Sequence, residues 1–236
     1  MRSLKPLALA ATFALLAGLA PAADEARWVG SPFNGKDLAG WKTKPKGKNE
    51  SRWVVGSAKL DPANPARFAV AKEGAELINA AGAGLDIYTE ATYGDCIVTL
   101  DVMVPKGSNS GIYLQGNYEI QVLDSFGKEA NPGPGDMGGI YGAAAPKNPK
   151  YKAPGEWQTF EIHFQAPRFD DKGAKTAPAR FIKVILGGVA IQENVEMKGV
   201  TGGSLDGKEK ARGPLMFQGD HGPVAFRNIK VVPLKG

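Results

Sequence analysis

The stretch Asn109-Ser-Gly-Ile-Tyr-Leu-Gln-Gly-Asn-Tyr-Glu-Ile-Gln-Val-Leu-Asp124 concentrates hydrogen-bonding side chains at a spacing that extended chain turns to one side. Period-two alternation puts Ile112 and Leu114 on one face, with Gly111, Tyr113 and Gln115 on the other. Farther along, Ile120 and Val122 oppose Glu119 and Gln121. One face then carries a phenol, amides and a carboxylate, without the lysines and threonines usual on a washed strand. Such groups suit sugar hydroxyls, which take planar hydrogen-bonding partners and a ring to stack against. Gly111 leaves room for a ligand to approach the backbone. An ordinary solvent face is the plainer alternative.

Turn length decides how the two runs align. A two-residue turn at Gly116-Asn117 would set Leu114 against Glu119 and mix apolar with acidic groups. A three-residue turn, 116–118, pairs Gln115 with Glu119 and Tyr113 with Gln121. That register keeps one face apolar and one polar, and is the expected one. Glu119, Gln121 and Asp124 also follow an acid-x-amide-x-x-acid spacing, and a bulge after Val122 would point all three the same way.

The chain has two histidines. His163 alternates with Glu161 and Gln165 opposite Ile162 and Phe164, as a solvated strand residue would. His221 sits in Gln218-Gly-Asp-His-Gly222, between two strand-like runs and bracketed by glycines. Gln218, Asp220 and Arg227 are near enough in sequence to orient it or to bind an oxyanion. A capped turn histidine is the bland alternative, and Arg227 could equally pair with Glu119 or Asp124. Tyr141, in Gly138-Gly-Ile-Tyr-Gly142, is expected to touch a ligand rather than the core. Trp28, Trp41, Trp53 and Trp157 read mainly as core or closure residues.

These residues need a scaffold of strands. Strand-like runs recur at 52–55, 85–88, 96–104, 111–115, 119–123, 159–165, 180–186, 189–194, 215–218 and 224–232. Breakers such as Pro105-Lys106-Gly107 and Gly202-Gly203 separate them, and 31 Gly and 17 Pro supply turns throughout. No alternating amphipathic helices intervene. The pattern predicts an all-β fold, one antiparallel β-sandwich or jelly roll. The Pro/Gly-rich region 125–155 is long for a structureless connection and suits a binding loop. Residues 169–176 read as an exposed hairpin tip.

The first 23 residues have the layout of a signal peptide: Arg2 and Lys5, an apolar run from Leu7 to Leu19, then small residues before Asp24. The expected division is a leader at 1–23 and one domain at 24–236, periplasmic or secreted and free of the membrane once processed. Losing two lysine or arginine charges takes the formal +5 to +3. With scattered lysines and export, no nucleic-acid partner is expected. Cys96, the only cysteine, lies in a strand-like run and can form no intrachain disulfide, so it reads as a buried small hydrophobe. Oligomeric state is not legible.

The 119–124 spacing resembles the Glu-x-Asp-x-x-Glu strand of family 16 glycosidases, with Gln121 in place of the middle acid and Asp124 shorter than the expected Glu. Retaining hydrolysis needs two carboxyls about 5 Å apart, and that departure argues against direct double displacement. A second resemblance covers nearly the whole mature length. Phe33-Asn-Gly-Lys-Asp-Leu-Ala-Gly-Trp41, 109–116, 118–125, Gly139-Ile-Tyr-Gly142, Gly155-Glu-Trp-Gln158 and 218–229 occur in the order seen in the 3-keto-disaccharide hydrolase family. The resemblance implies a concanavalin A-like sandwich acting on sugars oxidised to a ketone at carbon 3.

A ketone at carbon 3 acidifies the carbon 2 proton, so the group at carbon 1 can leave by β-elimination, with water adding afterwards. That chemistry needs a base, an acid and a holder for the enolate oxygen. His221 is the first candidate for the base, since imidazole ordinarily titrates near neutrality. Glu119 is the second, or the leaving-group acid. Tyr113, Gln115, Gln121, Asp124, Tyr141, Gln218 and Arg227 are the expected carbohydrate-binding residues. Glu119, Asp124, Asp220 and His221 could hold a divalent cation, with a structural calcium as an equal alternative. A non-catalytic carbohydrate-binding domain and a structural or protein-binding sandwich are the other functional classes. Mass spectrometry of the exported protein should find an amino terminus near Ala23; retention of Met1 would contradict the leader peptide.

Overall fold

The computed structural model describes residues 30–234, so the expected leader peptide and Trp28 lie outside the described residues. Alternation of apolar and polar residues becomes alternating burial, most plainly at 96–103 and 158–165. In chain order the first strands are β1 (Trp41–Thr43), β2 (Trp53–Asp61), β3 (Asn64–Asn79), β4 (Ile87–Thr89) and β5 (Cys96–Met103). Next come β6 (Asn109–Leu114), β7 (Tyr118–Leu123), β8 (Gln158–Gln165), β9 (Arg168–Phe169) and β10 (Lys175–Ala177). The chain closes with β11 (Arg180–Leu186), β12 (Val189–Glu196), β13 (Met216–Phe217) and β14 (Val224–Pro233).

The strands form a five-stranded sheet ordered β1-β4-β13-β6-β7 and a seven-stranded sheet ordered β12-β11-β8-β5-β14-β3-β2. Neighbours pair antiparallel, which makes the expected β-sandwich. The small β9–β10 ribbon is the hairpin foreseen at 169–176. Between the large sheets lies one apolar core, to which Ile112 and Ile120 come from one side, Leu100 and Phe160 from the other. Cys96 is buried there as a free thiol, and burial pushes it up to about 12, out of reach of thiolate chemistry. His163 is a half-buried strand residue whose Nε2 lies 2.6 Å from Glu161 Oε1, as its alternation suggested.

The sheets are tied together most directly by Phe217 of β13 and Phe226 of β14. Their rings stack 4.0 Å apart at 12°, and Trp41 and Trp53 extend the stack at 5.4 and 6.2 Å. The chain passes from one sheet to the other in residues 218–223, which carry His221. That crossing is fastened on both sides. The buried Asn79 donates through Nδ2 to the carbonyls of Gly219 (3.0 Å) and Gly222 (2.9 Å). Gly219 N–H donates to Asp86 Oδ1 at 2.9 Å, and Gly222 N–H to Asn109 O at 2.8 Å. Gly219 must be glycine here, because a Cβ would stand 2.1 Å from the Leu85 carbonyl oxygen.

Two features depart from the expected runs. β3 is 16 residues long where no strand was expected, since its outer half is exposed and does not alternate. Residues 125–155 contain no strand, yet they run along the free edge of β7. Gly138 N–H donates to Gln121 O, Gln121 N–H to Gly139 O, and Tyr141 N–H to Glu119 O. The long loop therefore covers a sheet edge and fixes Tyr141 beside Glu119. Phe217→Ala should cost about 3–5 kcal/mol of unfolding free energy. Denaturant titration checks this, and a loss below about 1 kcal/mol would show that the stack does not join the sheets.

Candidate active site

β6 and β7 set the floor of a cleft on the outer face of the five-stranded sheet. Ile112, Leu114, Ile120 and Val122 point into the core, so alternation sends Tyr113, Glu119 and Gln121 the other way. The division into faces matches the sequence reading, but the register does not. Tyr113 pairs with Glu119 and Gly111 with Gln121, and the chain turns through Gln115, Gly116 and Asn117. Gln115 (φ 55) and Gly116 (φ 66) both take left-handed backbone, and Asn117 N–H closes on Leu114 O at 3.0 Å. The turn thus starts one residue earlier than expected. Relative to the expected register, every cross-strand partner moves by two, which preserves the faces.

The cleft, of ≈ 210 Å³, gathers Glu119, Gln121, Tyr113, Tyr141, Gln218 and His221 from the expected set. Lys44, Asp86, Asn109, Gly202, Gly203 and Asp220 complete its walls. His221 is exposed at the mouth, with Nδ1 in short contact with Asp220 Oδ1. Asp220 also takes Lys46 Nζ at 2.5 Å. Burial alone would raise the Asp220 carboxyl, but Lys46 and His221 together hold it below its ordinary range. An ionised carboxylate only accepts, so the proton of a neutral His221 sits on Nδ1 and Nε2 is left as a base.

Glu119 is in the opposite situation. Its residue is 3% exposed, and among the described residues no salt bridge reaches it. Burial pushes the carboxyl up to about 7; the Tyr113 phenol opposes this, and the charges of Asp86 and Asp220 reinforce it. The phenol itself is held protonated by burial and by Glu119, and it donates to Gly202 O at 3.1 Å. Asp86 is already engaged by Gly219 N–H and by Lys44 Nζ at 3.5 Å. One cleft thus holds an imidazole kept in its basic tautomer and a carboxyl that stays protonated to near neutrality, the separation that acid–base chemistry requires. Gln121 donates to Asn109 Oδ1 at 2.8 Å, and its buried Oε1 has no partner among the described residues.

Three expected ligand contacts lie elsewhere. Gln115 is turned away by its left-handed backbone, and its Nε2 donates to the carbonyls of Tyr93 and Ala211, both at 3.2 Å. Asp124 follows the end of β7 without a bulge, and its carboxylate accepts from the N–H groups of Gly107 and Phe126. Arg227 lies on the outer face of the other sheet, 4.1 Å over the Trp157 ring and paired with Asp101 at 3.2 Å. It therefore meets neither Glu119 nor Asp124. The space above Gly111 is also not free for ligand: a Cβ there would stand 2.3 Å from Glu119 Oε1, so the glycine accommodates that carboxyl.

Asp124 does not join Glu119, Asp220 and His221 as a cation ligand. Among the described residues no three His, Cys, Asp or Glu side chains form a metal-holding group. Of the cleft residues that sequence reasoning missed, Asp86 left a signal, an acid between Leu85 and Ile87 in a strand-like run. Lys44 left none, because it reaches the cleft only through the pairing of β1 with β4.

No curated protein matches the chain. Among solved structures, it is similar to a candidate glycosyl hydrolase from Parabacteroides distasonis ATCC 8503, at 30% identity and a TM-score of 0.62. That likeness covers 86% of this chain and 83% of the other. A second candidate glycosyl hydrolase from the same organism shares the fold at 18% identity, with a TM-score of 0.58 and coverage of 90% and 96%. Residues 29–232 match the model of the 3-keto-alpha-glucoside-1,2-lyase-like domain, and over that span the chain belongs to that family.

Proposed function

We propose that this is an exported enzyme that cleaves 3-keto-glycosides by elimination across carbons 1 and 2. Family membership supports a carbohydrate-active enzyme of the glycosidase or lyase type. The observation that carries the finer reading is the pairing of an Asp220-held imidazole with a buried Glu119 titrating near 7 in one cleft. Asp86 and Asp220 are engaged by Lys44 and Lys46, so neither is a free nucleophile for double displacement. The cleft's ≈ 210 Å³ lies below the range of about 300–1,000 Å³ typical of drug-sized ligands and suits a single sugar ring.

In this reading His221 Nε2 removes the carbon 2 proton, and the C–H electron pair passes into an enolate on the carbon 3 oxygen. Lys44 Nζ and Gln218 Nε2 steady that oxygen; Lys44 takes the part expected of Arg227. The enolate collapses to the ketone, the carbon 1–carbon 2 double bond forms, and the bond from carbon 1 to the leaving oxygen breaks. Protonated Glu119 gives its proton to that oxygen. Gln121 and Asn109 line the floor beneath the sugar, and Tyr141 presents its ring at the rim. Water then adds to the unsaturated sugar.

A 3-keto-disaccharide should be cleaved and the unoxidised sugar left intact. His221→Ala should lower turnover by roughly 10²–10⁴-fold, the usual range for a lost general base, with little change in binding of an unreactive analogue. Binding without cleavage of either sugar would leave a carbohydrate-binding domain instead. The acid role also fixes a pH dependence. Glu119 is protonated below about 7 and loses its proton as pH rises through that value, so kcat should fall on the alkaline side. Glu119→Gln should retain only a low rate and lack that limb; an unchanged limb in the variant would remove Glu119 from the acid role.

A further inference from the structure

We infer that the cavity on the far side of Tyr141 receives the leaving group as a second pyranose ring, with the scissile bond over the Tyr141–Gly202 divide. This rests on the reading of the first cleft as the keto-sugar site. The second cavity, of ≈ 340 Å³, shares Tyr141 and Gly202 with the first. Tyr141 is 45% exposed, so its ring is free to meet a ligand. Ala143, Met197 and Val200 give the cavity an apolar lining, while Glu196 and Lys198 supply polar groups. A pyranose has this same division, an apolar ring face and hydroxyls around its edge.

The position of the acid connects the two spaces. Glu119 C=O accepts from Tyr141 N–H at 3.1 Å, and Glu119 N–H donates to Thr201 Oγ1 at 3.1 Å. Thr201 in turn donates to Asn117 O at 3.0 Å, which pins that wall to the β6–β7 turn. Both walls of the second cavity are thus tied to the backbone of the residue that must protonate the leaving oxygen. The oxygen between two sugar rings belongs at the boundary between two ring-sized spaces, and Glu119 is anchored at that boundary.

Gly199 gives a clean test, because it lines only the second cavity, its backbone is not left-handed, and a Cβ there meets no atom within 4 Å. Gly199→Trp should fill the cavity without disturbing the first cleft. For a 3-keto-disaccharide, kcat/KM should fall about tenfold or more, whereas for methyl 3-keto-glucoside it should stay within about twofold. Equal losses on both substrates, or no loss on the disaccharide, would overturn the inference. Calorimetric binding of the unoxidised disaccharide and of methyl glucoside keeps this separate from the chemistry. Selective weakening of the disaccharide by Gly199→Trp would support the subsite even if no keto-sugar were cleaved. A wild-type protein that binds the disaccharide no more tightly than methyl glucoside would overturn it whatever the reaction.

Discussion

The face-to-face stack of Phe217 on Phe226 fixes where one sheet hands the chain to the other, and the cleft depends on it. Strand alternation makes Gln218 point opposite to Phe217, out of the core and into the cleft. Six residues later Val224 must be in the second sheet, so residues 218–223 have little freedom. Asn79 and Asp86 take up three backbone groups of that crossing. The exposed His221 therefore sits on a fixed backbone, which holds the direction of its side chain as the proposed base role requires.

Electrostatics then divides the work among the acids. Three carboxyl groups line the cleft, and among the described residues two lysines reach them: Lys44 at Asp86 and Lys46 at Asp220. Glu119, the most buried of the three, is left with a phenol instead of a cation. Burial therefore wins over hydrogen bonding, and the carboxyl keeps its proton to near neutrality. The same strand register that places Tyr113 opposite Glu119 produces this contact, so secondary structure and acid chemistry have one cause.

Much of this was legible in the sequence where it depended on local period. The sandwich, the two faces of the β6–β7 hairpin and the place of the 218–222 segment between two strands all follow from alternation and breakers. The register was not legible, because nothing in a glutamine signals the left-handed φ of 55 that starts the turn at Gln115. That one conformation also removes Gln115 from the cleft. Arg227 was misplaced for another reason: nearness in sequence to His221 does not survive a crossing between sheets. Lys44 needed a pairing across the fold, β1 with β4, which no local pattern encodes, whereas Asp86 stood out as an acid between Leu85 and Ile87 but showed its partner only in the 218–223 clamp.

The central claim is that His221 removes a proton from carbon 2 of a 3-keto sugar. Incubation with a 3-keto substrate in deuterated water, followed by NMR at carbon 2, measures that step apart from cleavage. The account predicts exchange or loss of the carbon 2 proton with the wild-type protein and its suppression in His221→Ala, with the sugar still bound. Exchange that continues unchanged in His221→Ala would contradict it and pass the base role to Glu119.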